Sequence, residues 1–76
     1  MKELIYKLEN LIFLLKKNNK KSFMFFKEQM DSISSGTNLP ESLERLRKSN
    51  SIVQYGDFSF EEEKLYNEMY DALEKV

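Results

Sequence analysis

Apolar side chains at Leu4, Ile5, Leu8, Leu11, Ile12 and Leu15 fall at the i, i+3, i+4, i+7 spacing of one helical face, which predicts a helix from about Lys2 to Lys17. The run Lys16-Lys17-Asn18-Asn19-Lys20-Lys21 then closes it. Lysines complement the negative end of the helix dipole, and asparagine adopts the left-handed conformation of a helix C-terminus more readily than most residues. A second helix is expected to start near Lys20 to Ser22, with Phe23, Phe26, Met30 and Ile33 on one face, and to end before the breaker Ser34-Ser35-Gly36. Thr37, Asn38 and Leu39 lead into Pro40, whose fixed φ suits a first helical turn, with Glu41 beside it at the positive dipole end. Leu39, Leu43 and Leu46 share the stripe of this third, short helix, which ends near Arg47 or Lys48.

Ser49-Asn50-Ser51 has the composition of a loop. The stretch Ile52 to Phe58 reads as an ordered connection, strand or loop, whose apolar residues fold back onto the core; a lone strand here has no evident pairing partner. Ser59-Phe60-Glu61-Glu62 matches the S-x-x-E capping box, in which hydroxyl and carboxylate each satisfy an amide at the helix start. Leu65, Met69, Ala72, Leu73 and Val76 line one face of the helix that follows, flanked by Tyr66 and Tyr70. These elements predict an all-α fold: a four-helix antiparallel bundle with a short third helix, forming a single domain over residues 1–76.

The 76 residues include no histidine, cysteine or tryptophan. Zinc, haem and iron–sulfur sites thereby lose their usual ligands, and nucleophilic triads their usual base. Gly36 and Gly56 stand alone, so there is no phosphate-cradling loop of the GxGxxG or GxxxxGK type. Asp57, Glu61, Glu62 and Glu63 form the one dense acidic group, but neighbours on a helix diverge, and the capping box explains them better than a bound cation. No enzyme, metal or cofactor is expected. Lys7 and Glu9 interrupt the only apolar candidate for an export signal, and Leu11 to Leu15 is far too short to span a bilayer, so the expectation is a cytoplasmic protein without a membrane role.

Charge is polarised along the chain although the net value is −1: six lysines face two glutamates through Ser22, and seven acids face two lysines from Asp57 onward. Dipole complementation accounts for much of this. Arg45, Arg47 and Lys48 follow a helix, Gly36 turn and helix that could serve as a nucleic-acid-binding corner, but Glu41 and Glu44 share that helix and the acidic C-terminal quarter would repel phosphates. Nucleic acid is the alternative partner, not the preferred one.

Apolar residues off the core faces are more informative. Tyr6 and Phe13 project roughly 150° from the leucine stripe at about 100° per residue, and Met24 and Phe25 point away from the Phe23, Phe26, Met30 face. A chain this short buries only roughly 60% of the surface its unfolded form exposes, so oligomerisation or a partner would supplement a marginal core. Tyr6, Phe13, Met24 and Phe25 are therefore the candidate protein interface. The order of elements, with an aromatic-rich second helix, Gly36, the Leu43 and Leu46 segment and Tyr55-Gly56-Asp57-Phe58-Ser59-Phe60 before an acidic closing helix, resembles small bacterial all-helical proteins of unassigned function, some of the immunity type. That resemblance carries no individual functional residue with it. It implies only that the protein works by binding another protein; with the absent catalytic residue types and the off-core apolar positions, the expectation is a non-enzymatic protein-binding module, an immunity-type inhibitor or small regulator, whose partner is another protein or a second copy of the chain.

Overall fold

Five helices and no strand make up the computed structural model of the chain, which describes residues 1–76: α1 (Lys2–Lys17), α2 (Phe23–Ser35), α3 (Leu39–Arg47), α4 (Asn50–Tyr55) and α5 (Phe60–Glu74). The all-α expectation holds, and the boundaries of α1, α3 and α5 fall close to where periodicity and caps place them, whereas α2 runs on through Ser34 and Ser35 and ends only at the left-handed Gly36. The expectation of four helices does not hold. Ser49-Asn50-Ser51, with the composition of a loop, instead leads into α4. The reason is tertiary: Ser49 is buried, donates to the Leu46 carbonyl at 2.6 Å and lies 2.8 Å from the Tyr66 hydroxyl, while Asn50 Oδ1 accepts from that hydroxyl at 3.1 Å. A six-residue helix is too short to stand on propensity. It is held by these bonds and by Ile52 and Val53, which pack against the core as the sequence anticipates.

At the centre is α1, which packs on both α2 and α5, while α3 bridges α2 to α5. Leu4, Leu8, Leu11 and Leu15 are wholly excluded from solvent, as are Phe26, Leu46, Met69 and Leu73 facing them. Each such side chain contributes about 1.5–3 kcal/mol on burial, so α1 alone supplies a large part of the core's stability. Three polar pairs fix its relation to α5: Glu3 with Lys75 at 3.8 Å, Lys7 with Glu68 at 3.3 Å, and Asn18 with Glu62 at 2.9 Å. Residue numbers rise on one helix as they fall on the other, so the two run antiparallel.

The helix ends follow their chemistry. Asn19 takes φ 59° beyond α1, with Lys20 N–H donating to the Leu15 carbonyl and Asn19 N–H to that of Lys16. Gly36 does the same beyond α2 at φ 76°, with Thr37 and Gly36 amides returning to Ser32 and Ile33. Both are Schellman ends. The α2–α3 corner is then stitched by Ser42 Oγ donating to Ser32 Oγ at 2.8 Å. At the start of α5 the capping box is complete: Glu62 N–H donates to Ser59 Oγ at 3.2 Å, and Ser59 N–H to Glu62 Oε1 at 2.6 Å.

Two side chains of α5 depart from expectation. Tyr66, read as a flank, is buried in the core, where burial pushes its phenol up from the usual value against the opposing pull of the Ser49 hydrogen bond. Val76, read as part of the stripe, lies beyond the helix and is exposed. One buried acceptor, Gln29 Oε1, has no partner, although its amide donates to the Phe25 carbonyl at 3.3 Å.

Replacing Ser59 with alanine removes an acceptor from a helix-start amide and is expected to cost about 1 kcal/mol in chemical denaturation. Gly56 is more constrained, since a Cβ there would lie 2.3 Å from the Ile52 carbonyl oxygen and 3.2 Å from the Phe58 ring. Gly56→Ala is expected to cost about 1–3 kcal/mol in the same assay, as overpacked sites do. A variant as stable as the parent would show that the α4–α5 connection yields freely.

Candidate functional site

The outer side of α1 is bare because its leucines use the inner side. Phe13 is 72% exposed and Tyr6 59%, two turns apart on one stripe. Beside Phe13 runs a groove of about 420 Å³, whose walls are Asn10, Phe13 and Leu14 of α1 and Glu61, Lys64 and Leu65 of α5. Lys64 also borders a second depression, of about 360 Å³, along the outside of α5, where Phe60 stands 85% exposed at its head. The outer faces of α1 and α5 thus form one continuous surface, with apolar groups set among charges.

The four sequence-predicted interface residues are not gathered in one place. Tyr6 and Phe13 lie on the α1–α5 face. Met24, 64% exposed, borders a separate depression on α2 with Phe23 and Lys27. Phe25 is a correction: it does not point into solvent but is half-buried, packed against the core and edge-on to Phe26 at 5.1 Å between centroids. Its position next to Phe26 on the helix lets it lean onto that ring.

Phe60 sits within the capping motif and also belongs to this surface. At 100° per residue it lies almost opposite Glu62, Tyr66, Met69 and Leu73, the residues that α5 buries. Helical position therefore marks it as an exposed aromatic.

Electrostatics divide the face. Lys2 and Lys17 on α1 are exposed and in no ion pair, and so are Glu61, Glu63, Asp71 and Glu74 on α5. By contrast the α3 bases are engaged on their own helix: Arg45 meets Glu41 at 2.5 Å, and Arg47 and Lys48 meet Glu44 at 3.9 and 3.4 Å. The candidate nucleic-acid residues are thus interleaved with carboxylates. Among the α5 acids no three carboxylates converge as a cation site requires.

One carboxylate turns inward and anchors the end of the face. Glu62 is fully excluded from solvent, accepting from Asn18 Nδ2 at 2.9 Å and from the Ser59 amide at 2.6 Å, with Lys20 Nζ at 3.5 Å. Lys20 also donates to the Asp57 carbonyl, so it ties the α1–α2 corner to the segment before α5. Burial pushes the Glu62 carboxyl up, but the Ser59 amide, Asn18 and Lys20 together outweigh it and hold the group below its ordinary value of 4.5.

No protein-family model, curated protein or solved structure matches this chain. No helix is long and apolar enough to cross a membrane.

Because the folded Glu62 carboxyl titrates below the unfolded one, its contribution is complete above pH 4.5 and is lost as pH falls through the lower, folded value. Glu62→Gln is therefore expected to cost about 1.5–3 kcal/mol at neutral pH, the range for hydrogen bonds to a charged group, with the difference from the parent shrinking in acid. Urea titrations at neutral and strongly acidic pH check this. An equal deficit at both would mean that Glu62 acts by shape alone.

Proposed function

We propose that this protein is a non-enzymatic, cytoplasmic protein-binding module, an immunity-type inhibitor or small regulator, that docks through the outer face of α1 and the groove it shares with α5. The observation that carries this reading is the exposure of Phe13 and Tyr6 on one stripe beside a groove whose walls are half apolar, at Phe13, Leu14 and Leu65, and half polar, at Asn10, Glu61 and Lys64. Large aromatic side chains are the residue types that dominate binding energy when a partner desolvates them. On this reading the four longer helices, as an antiparallel bundle, provide a rigid base, and Phe13, Leu14 and Leu65 provide the anchor site. Met24 lies outside the docking face. The α3 arginines take no part, since their nearest charges are glutamates of their own helix.

Phe13→Glu tests the assignment without disturbing the core, because the ring is mostly in solvent. The variant is expected to keep its far-UV circular dichroism and lie within about 0.5 kcal/mol of the parent in stability, as surface changes do. A photo-reactive residue at Asn10 should form a discrete cross-linked species in cells, and Phe13→Glu should abolish it. An unfolded variant would place Phe13 in the core, and unchanged cross-linking would remove the groove from the interface.

A further inference from the structure

We infer that the partner seated on this face is a second copy of the same chain, related by a twofold axis parallel to α1 and α5. The inference rests on the docking face proposed above and adds its occupant. Such an axis lays α1 of each copy against α5 of the other, and rotation about it leaves every residue at its original height. The heights are known from within one chain, where Glu3 meets Lys75, Lys7 meets Glu68 and Asn18 meets Glu62. Whatever lies level across α1 and α5 in one copy is therefore level across the seam.

At those heights the unpaired charges are complementary. Lys17 comes level with Glu61 of the second copy, and Lys2 with Glu74; all four are exposed and in no ion pair. Both pairs also lie on matching flanks of the two helices at 100° per residue. Between them Phe13 comes level with Lys64, an ammonium over an aromatic ring, and Tyr6 with Asp71, a phenol opposite a carboxylate. Glu9 and Lys16, side by side on the flank of α1 away from α5, gain no opposite partner. The order cation, aromatic, aromatic, cation on α1 thus meets acid, acid, cation, acid on α5, and the twofold repeats every contact.

The molecule measures 30 × 20 × 20 Å, so a seam along α1 and α5 takes up the whole of one long face to approach the roughly 800 Å² per partner of a standard stable interface. Between the terminal ion pairs each aromatic ring meets a single charged group, Phe13 the Lys64 ammonium and Tyr6 the Asp71 carboxylate.

Light scattering and sedimentation equilibrium on the purified chain, with charge exchange, test the inference. The parent is expected to be a dimer, and Phe13→Glu a folded monomer. Lys17→Glu and Glu61→Lys should each weaken the dimer by about tenfold, since each reversal acts twice, and the combined Lys17→Glu, Glu61→Lys chain should recover most of that loss. Reversing Glu44, far from the seam, should leave dimerisation unchanged. A parent that stays monomeric up to about millimolar concentration overturns the second copy, as does a combined variant no better than its components. A monomeric parent that still cross-links to a different protein from Asn10 ends the dimer but leaves the docking face standing. A monomer that cross-links to nothing ends both.

Discussion

Everything in this fold depends on one side of α1. Leu4, Leu8, Leu11 and Leu15 are all completely buried on the side of α1 that packs between α2 and α5. A chain of 76 residues has no second layer with which to cover the reverse side of its central helix. The bare Tyr6 and Phe13 follow from the same constraint as the buried leucines: a helix flanked by α2 and α5 and filled from below has its fourth side open. In a larger domain another helix would lie there.

The chain's polar groups settle what the leucines leave free, which is the sliding of one helix along another. Apolar stripes tolerate shifts along their length, whereas a buried carboxylate held by two hydrogen-bond donors and a lysine does not. Glu62 fixes the first turn of α5 against the last turn of α1, and its capping role means that the residue starting the helix also sets its height. Burying it is tolerable because the amide of Ser59, Asn18 and Lys20 replace the lost water. Charge polarisation along the chain therefore has two destinations. Lys20 and Glu62 are spent inside the molecule, while Lys2, Lys17, Glu61 and Glu74 remain outside and unpaired.

How far the sequence could be read depended on whether the deciding contact was local. Leucine spacing, the Asn19 and Gly36 ends, Pro40 and the Ser59–Glu62 box all act within a few residues, and each element they mark is where they put it. The helix at Asn50–Tyr55 escaped because Ser49 and Asn50 carry turn chemistry locally and are overruled by Tyr66, distant in sequence. Tyr66 escaped for the complementary reason: its polar tip suggested a flank, and the partners that make its burial tolerable lie on α4 and its N-terminal cap. Phe25 shows the limit of helical position itself, since a long side chain roughly a quarter turn off the buried side of α2 can bend onto a neighbouring ring. Of the candidate site, Tyr6 and Phe13 were legible from position alone. The groove beside them was not, because it needs to be known which helix lies next to α1.

That neighbour turns two exposed aromatics into a surface with a direction. Had α1 been flanked on this side by α3, its outer lysines would have faced a helix whose charges are already matched internally, Arg45 with Glu41 and Lys48 with Glu44. Flanked by α5, they border a helix whose outer carboxylates have no counterpart in the chain. Free charges on an isolated surface are solvated at little cost, so they do not destabilise the monomer. They do discriminate among partners, because an interface that matches them gains while one that opposes them is penalised. The apolar groups at Phe13, Leu14 and Leu65 supply attraction of no particular specificity, and the ordered sequence of charges around them selects what that attraction is allowed to hold.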